Sequence, residues 1–152
     1  MGTISKDFSY REFEKTDVPG MQISNTIASV KVRDSVQSLV ERVIQPLRDE
    51  WGKPLAINSG YRCDDVNRAV GGEPTSQHRK GEAADVCPFG RNGHGDIEVV
   101  KDLARLARDL KLPFDQMILY PSFVHFSHKL KGEQRGQILY ARNKWKKEWG
   151  TI

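Results

Sequence analysis

The sequence lacks any long hydrophobic run. Hydrophobic residues make up 38% of the 152 residues and charged residues 29%, and no apolar stretch approaches the roughly 18 residues that a membrane-spanning helix needs. The first eight residues, MGTISKDF, contain no apolar segment of the kind that forms a signal peptide. These absences predict a protein that does not insert into a membrane and that is cytoplasmic as synthesised.

Cysteine is also scarce. Cys63 and Cys87 are the two cysteines of the chain, which is too few for a disulfide framework, and they do not form a Cys-x-x-Cys pair. We therefore expect free, buried thiols. Cys87 lies two residues beyond Asp85, so in a strand it would share the face of that residue. A metal-ligand role for Cys87 is the less favoured alternative.

A strong charge imbalance is absent, since the net charge is +4. A weak attraction to anionic partners follows. The basic residues are spread along the chain, except for one group at Lys144, Trp145, Lys146, Lys147 and Trp149. Cationic and aromatic residues that alternate can bind nucleic acid, but such a segment is more often a solvated amphipathic end. We therefore expect no nucleic-acid partner.

Internal repeats and low-complexity segments are absent as well, and 152 residues fit one domain. We predict a single domain over residues 1–152, with a core over about residues 8–141 and a basic, tryptophan-containing tail over residues 142–152. A capping box at Ser9 predicts a short helix near residues 9–15. Apolar periodicity predicts a long helix over residues 32–51, whose last turn Pro46 should kink or tighten.

The remaining elements complete an α+β pattern. Further helices are predicted near residues 62–70 and 96–110, and strands near residues 54–58, 83–86, 115–120, 123–128 and 136–141. We predict an α+β fold in which the helices pack on a small, mainly antiparallel sheet.

Residue types typical of a zinc site recur in two separated segments. His78 and Asp85 have six residues between them, including Gly81, and His125 follows about forty residues later on a short alternating segment. A loop that folds back onto the start of a strand would bring the first two side chains to one point, and the later strand can bring the third. Two imidazoles and one carboxylate leave a fourth position open, as a catalytic zinc site requires. We predict His78, Asp85 and His125 as ligands of one Zn²⁺ ion. His128 falls on the opposite face of its strand.

The motif Ser-x-His-x-x-Gly-x-Ala-x-Asp at residues 76–85, followed by Val-His-x-Ser at residues 124–127, resembles zinc D-alanyl-D-alanine carboxypeptidases and related phage endolysins of the Hedgehog-type peptidase family. The likeness includes Ser-Gly-Tyr-Arg at residues 59–62 and Phe-Asp-Gln at residues 114–116. It implies the Hedgehog/DD-peptidase-like fold and hydrolysis of D-amino-acid-containing bonds in peptidoglycan stem peptides, by a carboxypeptidase or an endolysin-type endopeptidase. We correspondingly expect a monomer that is released to the cell wall by a phage-type route.

The resemblance also implies roles for residues around the metal. Relatives use the arginine of the Ser-Gly-Tyr-Arg motif, here Arg62, to hold substrate and to stabilise developing negative charge. An ion pair of Arg62 with Asp64 or Asp65 is the alternative. Ser76 is expected to support the metal loop or to contact substrate, and a plain turn-stabilising serine is the alternative. Gln116 is expected to contact substrate.

One acidic residue of the resembled family is missing. Relatives carry an acid a few places before the last histidine, whereas the segment from Leu119 to Val124 has none, and Tyr120 stands where the family has a glutamate. Asp115 is the nearest acid and is our predicted general base. Tyr120 is expected to donate a hydrogen bond to the oxyanion. The missing acid also motivates an alternative, a non-catalytic zinc-containing module that binds peptide or cell-wall polymer.

Overall fold

The computed structural model describes residues 2–143 and 146–148. The α-helices are Tyr10–Glu14 (α1), Val30–Leu39 (α2), Gln45–Trp51 (α3), Asp64–Ala69 (α4) and Ile97–Asp109 (α5). The strands are Ala56–Ser59 (β1), Ala83–Cys87 (β2), Gln116–Leu119 (β3), Val124–Ser127 (β4), Gln137–Asn143 (β5) and Lys146–Glu148 (β6). Each helix and strand predicted from the sequence is present. The predicted tail is described only at residues 142, 143 and 146–148, and the division into a core and a tail stays a prediction.

The described strands form one sheet in the order β1-β2-β4-β3-β5-β6. Neighbouring strands are antiparallel except for β3 and β5, which run parallel. The predicted α+β fold with a mainly antiparallel sheet is therefore confirmed. The parallel pair was not evident from the sequence, and it arises because the segment between β4 and β5 returns the chain to the start of β3. Among the described helices, none is both long and apolar enough to cross a membrane.

The hydrophobic core lies between the helices and one face of the sheet. Helix α3 packs on α5, and α5 packs on β3 and β4. Alternation along the strands places their apolar side chains in this core; from β2 and β4 these are Ala84, Val86, Val124 and Phe126. The intervening residues of β2 and β4 face the opposite side of the sheet. Asp85 and His125 are among them, so the predicted metal ligands lie on the face that the core helices leave open.

The first long helix carries an irregular turn. A π-helical turn at Val40–Ile44 joins α2 to α3, and Pro46 follows directly. Proline has no N–H to donate, and its ring crowds the carbonyl group four residues earlier. Widening the preceding turn removes that conflict. The predicted distortion at Pro46 is confirmed, but it is a widened turn before the proline and not a tightened last turn.

Candidate metal centre and cleft

Three side chains from separate elements converge on the open face of the sheet. His78 comes from the 3-10 turn Gln77–Lys80, Asp85 from the middle of β2, and His125 from β4 directly opposite Asp85. One ligand atom from each lies within 4.8 Å of the others. Oδ1 of Asp85 is 2.9 Å from Nδ1 of His125 and 3.4 Å from Nε2 of His78. The three residues predicted as metal ligands are thus brought together.

The environment of His78 prepares one ring nitrogen for a cation. Nδ1 of His78 lies 2.6 Å from the carbonyl oxygen of Gly60. A carbonyl oxygen only accepts hydrogen bonds, so Nδ1 carries the proton and Nε2 keeps its lone pair. Burial lowers the pKa of His78, which favours the neutral imidazole that metals bind.

The carboxylate of Asp85 completes the donor set. Burial alone would raise the pKa of Asp85, but the neighbouring imidazoles of His78 and His125 outweigh burial and lower that pKa. Asp85 therefore presents an ionised oxygen to the lone pair on Nε2 of His78. Two such acceptors at 3.4 Å repel each other unless a proton or a metal cation lies between them. The donor set consequently fits a cation bound by two imidazoles and one carboxylate, a combination typical of zinc.

Ser76 and Gly81 shape the loop that carries His78. The hydroxyl oxygen of Ser76 accepts a hydrogen bond of 3.2 Å from the backbone N–H of His78, so Ser76 supports the loop. Gly81 ends the 3-10 turn with a φ of +72°, a left-handed conformation that glycine adopts without strain. A Cβ atom on Gly81 would lie 2.8 Å from the carbonyl oxygen of Val32. Gly81 therefore permits both the turn and the close packing of this loop on α2.

Gly81→Ala should destabilise the protein more than Gly52→Ala. Both glycines have a positive φ, +72° and +73°, but nothing lies within 4 Å of a Cβ atom on Gly52. Left-handed backbone costs an L-residue about 1–2 kcal/mol at either position, and crowding against Val32 adds about 1–3 kcal/mol at Gly81. Urea unfolding measures both free energies of unfolding. If both variants lost the same free energy of unfolding, the close approach of Gly81 to Val32 would not be what requires glycine in this loop.

Arg62 lies beside the metal ligands. Its Nη2 is 3.7 Å from Oδ2 of Asp85. Its Nε donates a hydrogen bond of 3.2 Å to the hydroxyl of Ser59, and its Nη1 donates one of 3.4 Å to the side-chain oxygen of Asn67. These contacts fix the plane of the guanidinium group. The Arg62 side chain is still 17% exposed.

The alternative partners of Arg62 are taken by other cations. Asp64 pairs with Arg79, and Asp65 pairs with Arg68. The suggested surface ion pair of Arg62 with Asp64 or Asp65 is therefore wrong. The end of β1 explains the difference: Ser59 pairs with Asp85 across β1 and β2, so the chain that follows Ser59 carries Arg62 toward the ligand set.

A cleft of about 860 Å³ surrounds the ligand set. The residues predicted to contact substrate or take part in catalysis all line this cleft: Arg62, Ser76, Asp115, Gln116 and Tyr120. The three predicted ligands line the same cleft. The size and open shape of the cleft suit a ligand larger than a single amino acid.

Tyr120 and Gln116 occupy the side of the cleft formed by β3. The Tyr120 ring stacks on Phe123, with 4.7 Å between the ring centroids and an interplanar angle of 16°. Burial, and then the charge of Asp85, raise the pKa of Tyr120, so its hydroxyl keeps a proton to donate. Nε2 of Gln116 donates a hydrogen bond of 2.7 Å to Oε1 of Gln137. The side-chain carbonyl oxygen of Gln116 takes no part in this hydrogen bond.

Asp115 is bound by Arg135 and is not a member of the metal-ligand group. Its side chain is 0% exposed. The Arg135 side chain donates to both carboxylate oxygens, at 3.1 Å from Nε to Oδ1 and 2.8 Å from Nη2 to Oδ2, and the Arg135 backbone N–H donates at 2.9 Å. Burial would raise the pKa of Asp115, but the hydrogen bonds from Arg135 outweigh it and lower the pKa to about 2. Asp115 therefore anchors the segment that follows β4.

Asp115→Asn should lower the free energy of unfolding by about 1.5–3 kcal/mol at pH 7, the range for hydrogen bonds to charged groups. The pKa of Asp115 is about 2 in the fold, below the ordinary 3.8. As the pH falls below about 4, the Asp115 carboxylate is therefore protonated first in the unfolded chain. The contribution of the ionised Asp115 to the free energy of unfolding is gone below about pH 2. Urea unfolding of both proteins at pH 7, 4 and 3 checks this. A difference between them that stays constant over these pH values would contradict it.

Gly60 and Arg135 are functional neighbours that the sequence did not reveal. Gly60 acts through its backbone carbonyl, so its side chain carries no chemical signal. A Cβ atom on Gly60 would lie 2.6 Å from Cδ2 and 2.8 Å from Cα of Phe13, so only glycine permits this approach of β1 to α1. The Ser-Gly-Tyr-Arg motif was the available hint. Arg135 follows Asp115 by twenty residues, and no periodicity links them.

The other candidate ligands lie apart from the metal site. Sγ of Cys87 is buried within 3.3 Å of the carbonyl oxygen of Ser122, and neither it nor Cys63 belongs to the ligand group. Both thiols are free, as predicted, but Cys63 is only half-buried. His128 is buried against the carbonyl oxygen of Pro113, at 2.7 Å from Nδ1. His94 is exposed.

Comparison with known proteins identifies a family. A family model described as Peptidase M15 matches residues 7–127. The matched range contains all three ligand residues and the cleft residues Arg62 and Tyr120. No curated protein matches the chain.

Proposed function

Because the chain belongs to the peptidase M15 family, we propose that it is a zinc-dependent peptidase acting on bacterial cell-wall peptidoglycan. It would hydrolyse a D-amino-acid-containing bond of a stem peptide, as a D-Ala-D-Ala carboxypeptidase or an endolysin-type endopeptidase. The observation that carries the proposal is the convergence of His78, Asp85 and His125 in an open cleft. The substrate class follows from the resemblance of the motif at residues 76–85 to such enzymes. A monomer is the expected state.

His78, Asp85 and His125 would hold one Zn²⁺ ion, with the Gly60 carbonyl fixing the tautomer of His78. A bound zinc ion supplies Lewis acidity, which polarises a scissile carbonyl group and makes a water molecule more acidic. Three protein ligands leave room for that chemistry. The remaining contributions come from side chains of the cleft.

Arg62 would bind a substrate carboxylate or carbonyl oxygen. Ser59 and Asn67 already hold its guanidinium group in one plane, which reduces the entropy lost on binding. A fixed positive group beside the ligand set also stabilises negative charge that develops on the carbonyl oxygen. Arg62 therefore both positions the peptide and lowers the barrier.

Tyr120 would donate a hydrogen bond to the same developing charge. Its raised pKa keeps the hydroxyl protonated, and stacking on Phe123 fixes the ring. Gln116 would contact the peptide backbone through its side-chain oxygen. Ser76 would act indirectly, because its hydroxyl supports the backbone of His78.

The assignment of Asp115 as general base stays a prediction, and its surroundings favour a positioning role. A carboxylate with a pKa of about 2 is a weak proton acceptor near neutral pH, and Arg135 donates to both of its oxygens. With a positioning role, Asp115→Asn should raise KM and change kcat only a few-fold. A loss of about 10²- to 10⁴-fold in kcat would instead support the base.

Hydrolysis that depends on zinc tests the proposal. Purified protein is incubated with defined stem peptides before and after removal of metal by a chelator, and the products are separated by chromatography. We expect cleavage to stop on chelation and to return when zinc is added. Cleavage that persists without metal would contradict the proposal.

The alternative is a non-catalytic zinc-containing module that binds peptide or cell-wall polymer. The observation that favours it is the missing acidic residue between Leu119 and Val124, where Tyr120 stands. Such a module would retain stem peptides with zinc bound and would leave them intact. A time course that shows binding without any product would select it.

A further inference from the structure

Three lysines form part of the lining of the cleft. We call Lys80, Lys129 and Lys131 the lysine wall; all three line the cleft. Lys80 closes the 3-10 turn that bears His78, and the other two follow β4. Glu82 joins the two segments, because its backbone oxygen accepts from the N–H of His128 at 2.8 Å and its carboxylate accepts from the N–H of Leu130 at 3.0 Å. The lysines therefore border one region.

Two acidic groups that adjoin the lysine wall already have partners. Asp115 is held by Arg135 and lies 3.6 Å from Nζ of Lys129. Glu82 accepts the backbone hydrogen bond from Leu130. Lys80 and Lys131 are exposed, and within the described part of the chain neither makes a hydrogen bond or an ion pair. Glu73 and Glu82 add negative charge to the same cleft lining, but neither forms an ion pair with these two ammonium groups, which remain available to a ligand.

The wall is also held in a fixed shape. The side chain of Gln134 accepts from the backbone N–H of Lys129 at 2.8 Å and donates back to its carbonyl oxygen at 2.9 Å. The pair of Arg135 with Asp115 fastens the other end of the same segment. A preformed wall loses less conformational freedom when a ligand binds.

We infer that the lysine wall is a subsite for a carboxylate of the substrate, separate from the carbonyl group that is attacked. This rests on the proposed function and adds a specificity to it. Lys80 follows His78 by two residues in the same 3-10 turn, and Lys129 follows His125 by four residues, so the wall borders the ligand set along both segments. The carboxylate would thus belong to a part of the substrate beside the scissile bond. A free α-carboxylate on a γ-linked glutamyl residue has this chemistry, and its carboxamide lacks the charge.

The test uses two stem peptides that differ only in this group, one with the carboxylate and one with the carboxamide. The wild type should cleave the carboxylate peptide with a kcat/KM about tenfold higher, and the preference should fall with added salt. The double variant K80Q/K131Q should lose the preference, since it removes the two unpaired charges and keeps Lys129 on Asp115. K15Q/K53Q removes the same charge from two exposed positions outside the cleft and should retain it.

Equal cleavage of both peptides by the wild type, or a preference that survives in K80Q/K131Q, would overturn the inference and leave the proposed function standing. Calorimetric dissociation constants of the two peptides are measured on the same zinc-loaded proteins. If no peptide is cut, tighter binding of the carboxylate peptide that is lost in K80Q/K131Q supports the lysine wall while the peptidase proposal fails. Equal dissociation constants for the wild type would contradict the lysine wall.

Discussion

His125→Ala should remove stoichiometric zinc and abolish hydrolysis. The variant keeps only His78 and Asp85, and two ligands do not make the three-ligand set of a catalytic zinc site. Loss of a hydrogen-bond partner of a metal ligand already costs about 10- to 100-fold in metal affinity or activity, and loss of the ligand itself should cost more. Elemental analysis after dialysis measures bound zinc, and product formation measures activity.

His94→Ala is the matched control for this prediction. His94 is exposed in the loop before α5 and does not belong to the ligand group. The control should bind one zinc ion and keep wild-type activity. If His125→Ala also kept one tightly bound zinc ion, the metal would have to lie elsewhere, and the site described here would be wrong.

Arg62→Ala should reduce kcat/KM by about 10²- to 10³-fold, the cost of removing one preorganised group that stabilises an oxyanion. Zinc content should stay at one ion per chain, because Arg62 contacts Asp85 only at 3.7 Å and supplies no ligand atom. Arg62→Lys should recover only part of the loss, since an ammonium group cannot form the paired hydrogen bonds of a guanidinium group. Steady-state kinetics with a stem peptide measure all three proteins.

Arg68→Ala removes an exposed arginine that pairs with Asp65 on the surface of α4. Its kinetics should match those of the wild type. An Arg62→Ala variant with unchanged kcat/KM and unchanged zinc would show that the guanidinium group has no part in catalysis. Loss of zinc in that variant would instead mean that Arg62 mainly positions Asp85.

The convergence of His78, Asp85 and His125 was predictable because the segments that carry them have local signals of their own. Gly81 between His78 and Asp85 indicates a turn, and alternation around His125 indicates a strand. The structure adds what spacing does not contain, the pairing of Asp85 with His125 across β2 and β4. Strand pairing depends on the whole sheet. A sequence pattern indicates which face of a strand is buried, but not which strand it pairs with.

The surroundings of the ligands were harder to predict. Gly60 contributes a backbone carbonyl, which every residue possesses. The pair of Asp115 with Arg135 joins a strand to a loop, and no period relates their positions. The π turn before Pro46 results from a steric conflict, and the sequence indicated that conflict but not how the helix resolves it. Long-range contacts therefore decided these features.

Incorporation of oxygen from water shows whether the protein hydrolyses a stem peptide. A defined stem peptide is incubated with the zinc-loaded protein in water enriched in ¹⁸O, and the products are identified by mass spectrometry beside His125→Ala. We expect a cleaved D-amino-acid-containing bond with one ¹⁸O atom in the new carboxylate, and no product from the variant. A peptide that stays intact while the protein binds one zinc ion would contradict the peptidase and favour the binding module.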